Sequence, residues 1–318
     1  MTLRVRLVAA LAAVLAVLLA GCGSGSDEPA PGAAAPGFPV TVDHAYGQTT
    51  IPDRPARVVT VGYNDVDYAL ALGTVPVGVR DFIGAFDETT RPWAQQALDG
   101  QQPQQVGGNE IDIEKVASLA PDLVLGVYSD MDRATFDRLS QIAPTVADPA
   151  GGPAPWQEQT RITARALGVP ERGDQVVSDV EGRFAQARAA NPQFAGKSVD
   201  VALVTSGEFY VLGQDDARTQ FFSGLGLGVE PTTATLSSEQ LGQLDAQGVA
   251  VLGVPPQAAL ANPVFANLPA VAQNRVAYVG EESSAVAGAL GFTSPLSLPF
   301  LIDQVTPELA RVYSQPGA

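Results

Sequence analysis

Few residues in this sequence could carry catalytic chemistry. There is one histidine, His44, and one cysteine, Cys22, in 318 residues. Neither Gly-x-Ser-x-Gly nor His-Glu-x-x-His occurs, so no nucleophile comes with a base to activate it, and an enzyme is not expected. Direct capture of a bare zinc or manganese ion draws on several imidazoles or thiolates, which the chain lacks. A lone cysteine also excludes an intramolecular disulfide. His44 falls in FPVTVDHAYGQTTI, and a single imidazole in a terminal hairpin is expected at the surface. Two acids stand out by context: Glu114 in DIEKVASLAPDLVLG (112–126) and Glu239 in SEQLGQLDAQGVAVLG (238–253). Each sits in the first turn of an expected helix, where the macrodipole favours negative charge. On the residues alone, both read as ordinary acids on solvated helices.

The elements that would position these side chains follow from periodicity. Val116 and Leu119 share a helical face, and Pro121-Asp122 stop that helix before the apolar run Leu123–Leu125. In the second half Leu241 and Leu244 play the helical part and Val249–Leu252 the strand. A helix feeding a wholly apolar strand fits a parallel sheet covered on both faces, and two such units suggest two lobes. Phe38–Ile51 reads as a β-hairpin. Arg57–Gly62, a helix over Asp65–Leu72 and Val75–Val79 then form a β-α-β unit. Ligands of such sheets bind past the carboxyl ends of the strands, which directs attention to Tyr63, Asn64, Arg80, Asp81, Phe82, Tyr128 and Ser129. In the second half Ser198–Val204, Val249–Val254 and Val276–Val279 are strands, and Thr219–Leu225 and Leu296–Val305 are helices. Ser206–Tyr210 and Glu281–Ser284 would then face the first lobe. A helix from Asp174 to Ala189, with Asp174 as N-cap, is long enough at ~27 Å to cross between lobes.

The N-terminus carries Arg4 and Arg6, an apolar run from Leu7 to Ala20, then Gly21-Cys22. The run falls short of the ~20 residues a spanning helix needs and reads as a secretory signal peptide. Leu19-Ala20-Gly21-Cys22 resembles the bacterial lipobox, which implies cleavage before Cys22 and lipidation of its thiol. Residues 23–37 hold no large apolar side chain and read as a flexible tether. The formal charge of −16 argues against nucleic acid as a partner.

The run RVVTVGYNDVDYALALGTVPVGVR, followed by VGGNEIDIEKVASLAPDLVLG, PWQEQTRITARALG, FYVLGQDDARTQFFSGLGL and GALGFTSPLSLPFLID, resembles the periplasmic-binding-protein family that delivers ferric siderophores, haem or cobalamin to ABC importers. The resemblance covers nearly the whole mature chain. It implies a class III α/β fold: two lobes, each with a central, mostly parallel sheet flanked by helices, joined by one long rigid helix. The expected division is 1–21 signal peptide, 22–37 lipidated Cys22 and tether, 38–170 first lobe, 171–192 connecting helix and 193–318 second lobe.

The resemblance also implies a lipid-anchored monomer on the extracytoplasmic face, without a cofactor, holding iron within its chelator. For a bulky ligand the available aromatic faces are Tyr63, Phe82, Trp93, Tyr128, Phe209, Tyr210 and Phe292, whereas Trp156 reads as structural. An anionic chelate would require a local arginine, for which Arg80, Arg91 and Arg218 are the candidates. Tyr63 or Tyr128 could instead give haem an axial phenolate; cobalamin is the further alternative. In the family, one acid per lobe pairs with arginines of the permease dimer, and those positions fall on Glu114 and Glu239, with Glu110 as the neighbouring alternative.

Overall fold

The computed structural model describes residues 35–81, 91–150, 152, 154–281 and 284–315. The signal peptide, Cys22 and Phe82 lie outside the described residues. A hairpin of β1 (Val40–His44) and β2 (Gly47–Ile51) opens the fold. The first-lobe sheet has β3 (Val58–Thr60), β4 (Gly78–Val79), β5 (Gln104–Gln105), β6 (Leu123–Leu125) and β7 (Thr145–Val146), in the order β5-β4-β3-β6-β7, all parallel. Strand β6, inside the sheet between β3 and β7, is apolar throughout because both faces are covered. Leu123 and Leu125 pack with Ile162 and Ala166 of the helix Trp156–Ala166, whereas Val124 packs with Val116, Leu119 and Leu139 on the other side.

The second-lobe sheet contains β8 (Val199–Thr205), β9 (Glu208–Leu212), β10 (Ala234–Leu236), β11 (Gly248–Gly253) and β12 (Val276–Glu281), in the order β10-β9-β8-β11-β12. Strands β8, β11 and β12 run parallel, and β9 and β10 are antiparallel additions at one edge. The same two-faced logic holds in β11: Ala250 and Leu252 enter one cluster, Val249 and Val251 the other.

The long helix runs Pro170–Ala190, 21 residues or about 31 Å. It begins four residues before the expected N-cap. Pro170 occupies the first helical turn, where its missing N–H costs nothing, and Asp174 instead pairs with Arg161 at 2.9 Å. Gly173 lets this helix lie directly against Ala164 of its neighbour. Its Val176 packs into the first-lobe core, whereas Val177, Val180, Phe184 and Ala187 belong to the second-lobe core. The closing helix, Ser297–Tyr313, continues through Pro307 well past the expected end at Val305. Burial of Leu309, Val312 and Tyr313 offsets the backbone bond the proline forfeits. The segment expected as a helix at Ser238–Gln243 is a 3-10 helix, closed by a capping box of Ser237 and Gln240.

His44 is not at the surface as expected. The hairpin folds over β7, where Thr49 Oγ1 donates to the Thr145 carbonyl at 2.6 Å. His44 Nε2 lies 2.9 Å from that hydroxyl, its Nδ1 accepts the Tyr46 amide at 3.2 Å, and its ring rests on Phe136 at 5.0 Å. Burial pushes the imidazole below 6.5, against an opposing pull from Asp43. The folded state therefore favours the neutral ring. That contribution is present above pH 6.5 and is lost as pH falls through 6.5 toward the lower folded value, because only the unfolded chain takes up the proton readily. The expected outcome is that the stability advantage of the wild type over His44→Gln shrinks between about pH 7.5 and about pH 5 in urea unfolding.

Candidate functional site

The helix Asp65–Ala71, which follows β3, is buried at every position, including both aspartates. A buried carboxylate is tolerated only when its oxygens are bonded. Asp67 is 1% exposed and meets that condition with partners from two other segments. Its Oδ1 accepts from Arg91 NH1 at 3.1 Å, and its Oδ2 accepts from Trp93 Nε1 at 2.8 Å and from Ser294 Oγ at 2.7 Å. Ser294 Oγ also accepts the Ser297 amide at 3.0 Å, so one hydroxyl joins this carboxylate to the start of the closing helix. One residue earlier in the chain, the Thr293 carbonyl accepts from Tyr68 Oη at 3.0 Å and from Asn64 Nδ2 at 3.1 Å. Burial, with the charges of Asp65 and Asp67, drives the Tyr68 phenol well above its usual value, which keeps it a donor.

These bonds fix the position of Phe292. Its ring lies 5.4 Å from Tyr63 and 5.8 Å from Tyr128, and the two tyrosines meet edge to face at 5.4 Å. Asp65 orients the tyrosine-bearing loops: its Oδ2 accepts the Val127 amide at 2.8 Å, and Gly62 passes so close to its carboxyl that a β-carbon would collide with it. Burial, followed by the charge of Asp148, raises this carboxyl to about 7, against the amides of Val127, Tyr128 and Gly62, which pull it down.

Arg80 does not present a free charge. Arg80 as a whole is 5% exposed, and its guanidinium bonds backbone carbonyls of Gly108, Val61, Ser129 and Asn109, at 2.7 to 3.3 Å. Its carbon sits 4.6 Å over the Tyr63 ring, which makes it a clamp on the strand-end loops and a cation-π support for that ring. Arg91 is likewise buried against Asp67. Arg218 grips Asp216 through Nε and NH2 at 2.8 and 2.6 Å. Trp93, tied to Asp67, packs on Phe300 at 5.4 Å.

Beside the aromatic group lies a cavity of about 360 Å3, bounded by Asn64, Tyr128, Trp156, Gln159, Phe292 and Thr293, with Gln214, Asp215, Ala217 and Gln220 forming its second-lobe wall. Trp156, read as structural, is both core and wall. The second-lobe wall differs from expectation. Ser206 and Gly207 turn tightly at positive φ and send β9 back along β8, which carries Gln214–Gln220 to the other end of that strand. Phe209 packs in the core against Phe265, and Tyr210 donates to Glu208 at 2.6 Å, away from the cavity lining. A Ser-Gly pair between two apolar runs is a hairpin signal that could have located this reversal.

The sequence matches the periplasmic binding protein family over residues 58–282. The chain belongs to that family. It is 34% identical to a periplasmic solute binding protein from Mycobacterium smegmatis, whose crystal structure superposes with a TM-score of 0.79 over 86% of this chain and 98% of that one. The PiaA protein of Streptococcus pneumoniae in complex with ferrichrome shares the fold at a TM-score of 0.73 and 24% identity, over 86% of this chain and 99% of that chain. Among curated relatives, the probable siderophore-binding lipoprotein YfiY of Bacillus subtilis is 31% identical over 173 residues, 53% of this chain. That alignment spans 50% of YfiY's own length.

In this periplasmic binding protein Glu114 is exposed on the short helix Ile113–Ser118, capped by Asp112, and Glu239 is exposed in the first turn of the 3-10 helix; Glu110 is also exposed. The Asp67 cluster generates a stability prediction. Asp67→Ala takes the carboxylate away from buried Arg91 and is expected to cost about 3–5 kcal/mol in urea unfolding. Ser294→Ala, which removes one bond to a charged group, is expected to cost about 1.5–3 kcal/mol.

Proposed function

We propose that this protein captures a ferric siderophore against Tyr63, Tyr128, Trp156 and Phe292 and presents it to an ABC importer. The observation that carries this reading is the aromatic-walled cavity between first-lobe and second-lobe residues, in a fold whose relative PiaA has been crystallised with ferrichrome. The protein binds and performs no chemistry, has no resident cofactor, and takes iron only inside its chelator. Among the described residues no group of His, Cys, Asp or Glu side chains is placed to hold a metal ion. Of the residues expected at the ligand, Tyr63, Tyr128 and Phe292 remain the direct candidates. Arg80 supports Tyr63 from behind, Trp93 buttresses the Asp67 cluster, Arg218 is balanced by Asp216, Tyr210 stands off the cavity wall, and Phe82 lies outside the described residues.

The protein works as a monomer anchored through lipidated Cys22 on the extracytoplasmic face of the membrane. Among the described residues no helix is long and apolar enough to cross a membrane. Glu114 and Glu239 dock on the permease dimer, where one carboxylate per lobe sets orientation and association rate. A haem reading would use a phenolate from Tyr63 or Tyr128. Burial, together with the charges of Asp130, Asp216 and Asp148, raises the Tyr128 phenol and opposes that role.

Two outcomes test the reading. Tryptophan fluorescence of residues 23–318 is expected to respond saturably to a ferric siderophore, with Tyr128→Ala or Phe292→Ala weakening binding at least about tenfold; no response to any ferric chelate would refute it. Glu114→Arg and Glu239→Arg are expected to leave that binding unchanged while abolishing siderophore-dependent growth of the producing cell under iron limitation. Unimpaired growth would remove the docking role.

A further inference from the structure

The charge and hydrogen-bonding character of the cavity narrows the ligand class, an inference that rests on the siderophore reading above. The chain's cations near the site are all engaged: Arg80 by four backbone carbonyls, Arg91 by Asp67, and Arg218 by both oxygens of Asp216. No lysine or arginine lines the cavity among the described residues, and none occurs in the sequence at 82–90, 151, 153, 282 or 283. Arg188 borders a neighbouring hollow that shares Trp156, Gln214 and Gln220, but Glu181 lies in the same lining and Arg188 NH1 donates to the Gly224 carbonyl. The acids, by contrast, are close. Asp215 is part of the wall, and the charges of Asp130 and Asp148 act on the Tyr128 phenol, whereas Asp216 is paired with Arg218.

A second observation points the same way. Asn64 and Gln159 are cavity residues, 1% and 5% exposed, and each holds a buried amide oxygen with no hydrogen-bond partner. Their orientation is fixed, because the nitrogen ends donate to the carbonyls of Thr293 and Ala154. A buried acceptor without a donor costs free energy, so a ligand N–H or O–H that reached either oxygen would relieve that cost.

We infer that the cavity selects electrically neutral or cationic ferric chelates that carry hydrogen-bond donors, the ferric trihydroxamates, and rejects tricatecholate and carboxylate chelates. Three singly charged hydroxamates neutralise Fe(III), and an appended ammonium makes the complex a cation. Three doubly charged catecholates leave a trianion, which this wall would have to desolvate without a free cation to meet it.

The test is a titration of residues 23–318 with ferrioxamine B (cationic), ferrichrome (neutral), a ferric tricatecholate and ferric citrate, at fixed ionic strength. The two hydroxamates are expected to bind at least about 100-fold more tightly than either anion. Asp215→Asn is expected to lower the ratio of ferrioxamine B to ferrichrome affinity by about threefold to tenfold; as a ratio on one protein, this readout is insensitive to partial loss of folded material. Tricatecholate or citrate binding as tight as the hydroxamates would overturn the charge inference and leave the siderophore reading in place. No binding by any of the four would overturn both.

Discussion

The structure depends on a single buried carboxylate. Asp67 lies on a helix with no solvent-facing side, and a charge there persists only if the surrounding chain supplies donors. The donors come from the segment holding Arg91 and Trp93 and from Ser294 at the threshold of the closing helix. Satisfying one charge therefore ties the first lobe to the C-terminal segment. Asn64 and Tyr68, on the same stretch of chain, hold the adjacent Thr293 carbonyl. Phe292 has little positional freedom after that, and the aromatic face it shares with Tyr63 and Tyr128 is set before any ligand arrives. Such preorganisation lowers the ordering cost of binding a rigid chelate.

The same arrangement explains why arginines near the cleft are supports and not ligand groups. The strand-end loops that carry Tyr63, Asn109 and Ser129 expose backbone carbonyls, and Arg80 satisfies four of them while stacking on Tyr63. A planar guanidinium with several fixed donors suits this task better than a lysine. What faces the cavity is apolar rings, side-chain amides and acid. The long helix Pro170–Ala190 adds rigidity, since its residues enter the cores of both lobes and any relative motion must bend it or unpack Val176 or Phe184.

Much of the fold was legible in the sequence where burial on two faces left an unbroken apolar run, as in β6 and β11. Tyr63 and Tyr128 were legible as strand-end residues for the same reason. Local pattern could not reveal partners far apart in sequence. Nothing in the local pattern marked Asp67, because its partner Ser294 is more than two hundred positions away. Arg80 read as a ligand charge because its carbonyl partners come from three separate loops. His44 read as exposed because its hairpin gave no sign of folding over Thr145 and Phe136. The second-lobe wall was misplaced because Ser206-Gly207 was read as a loop facing the first lobe, when it is the turn of a hairpin. Gln159 and Asn64 carry no motif, and only their unpartnered oxygens mark them.

The most direct test of the central claim is a crystal structure of residues 23–318 with a ferric trihydroxamate bound. The account predicts the chelate packed against Tyr128, Trp156 and Phe292, with donors on the Asn64 and Gln159 amide oxygens and the bonds from Asp67 to Ser294 and from Tyr68 to Thr293 intact. A chelate seated elsewhere, or a bound state in which the Thr293–Ser294 segment has left the Asp65–Ala71 helix, would contradict it.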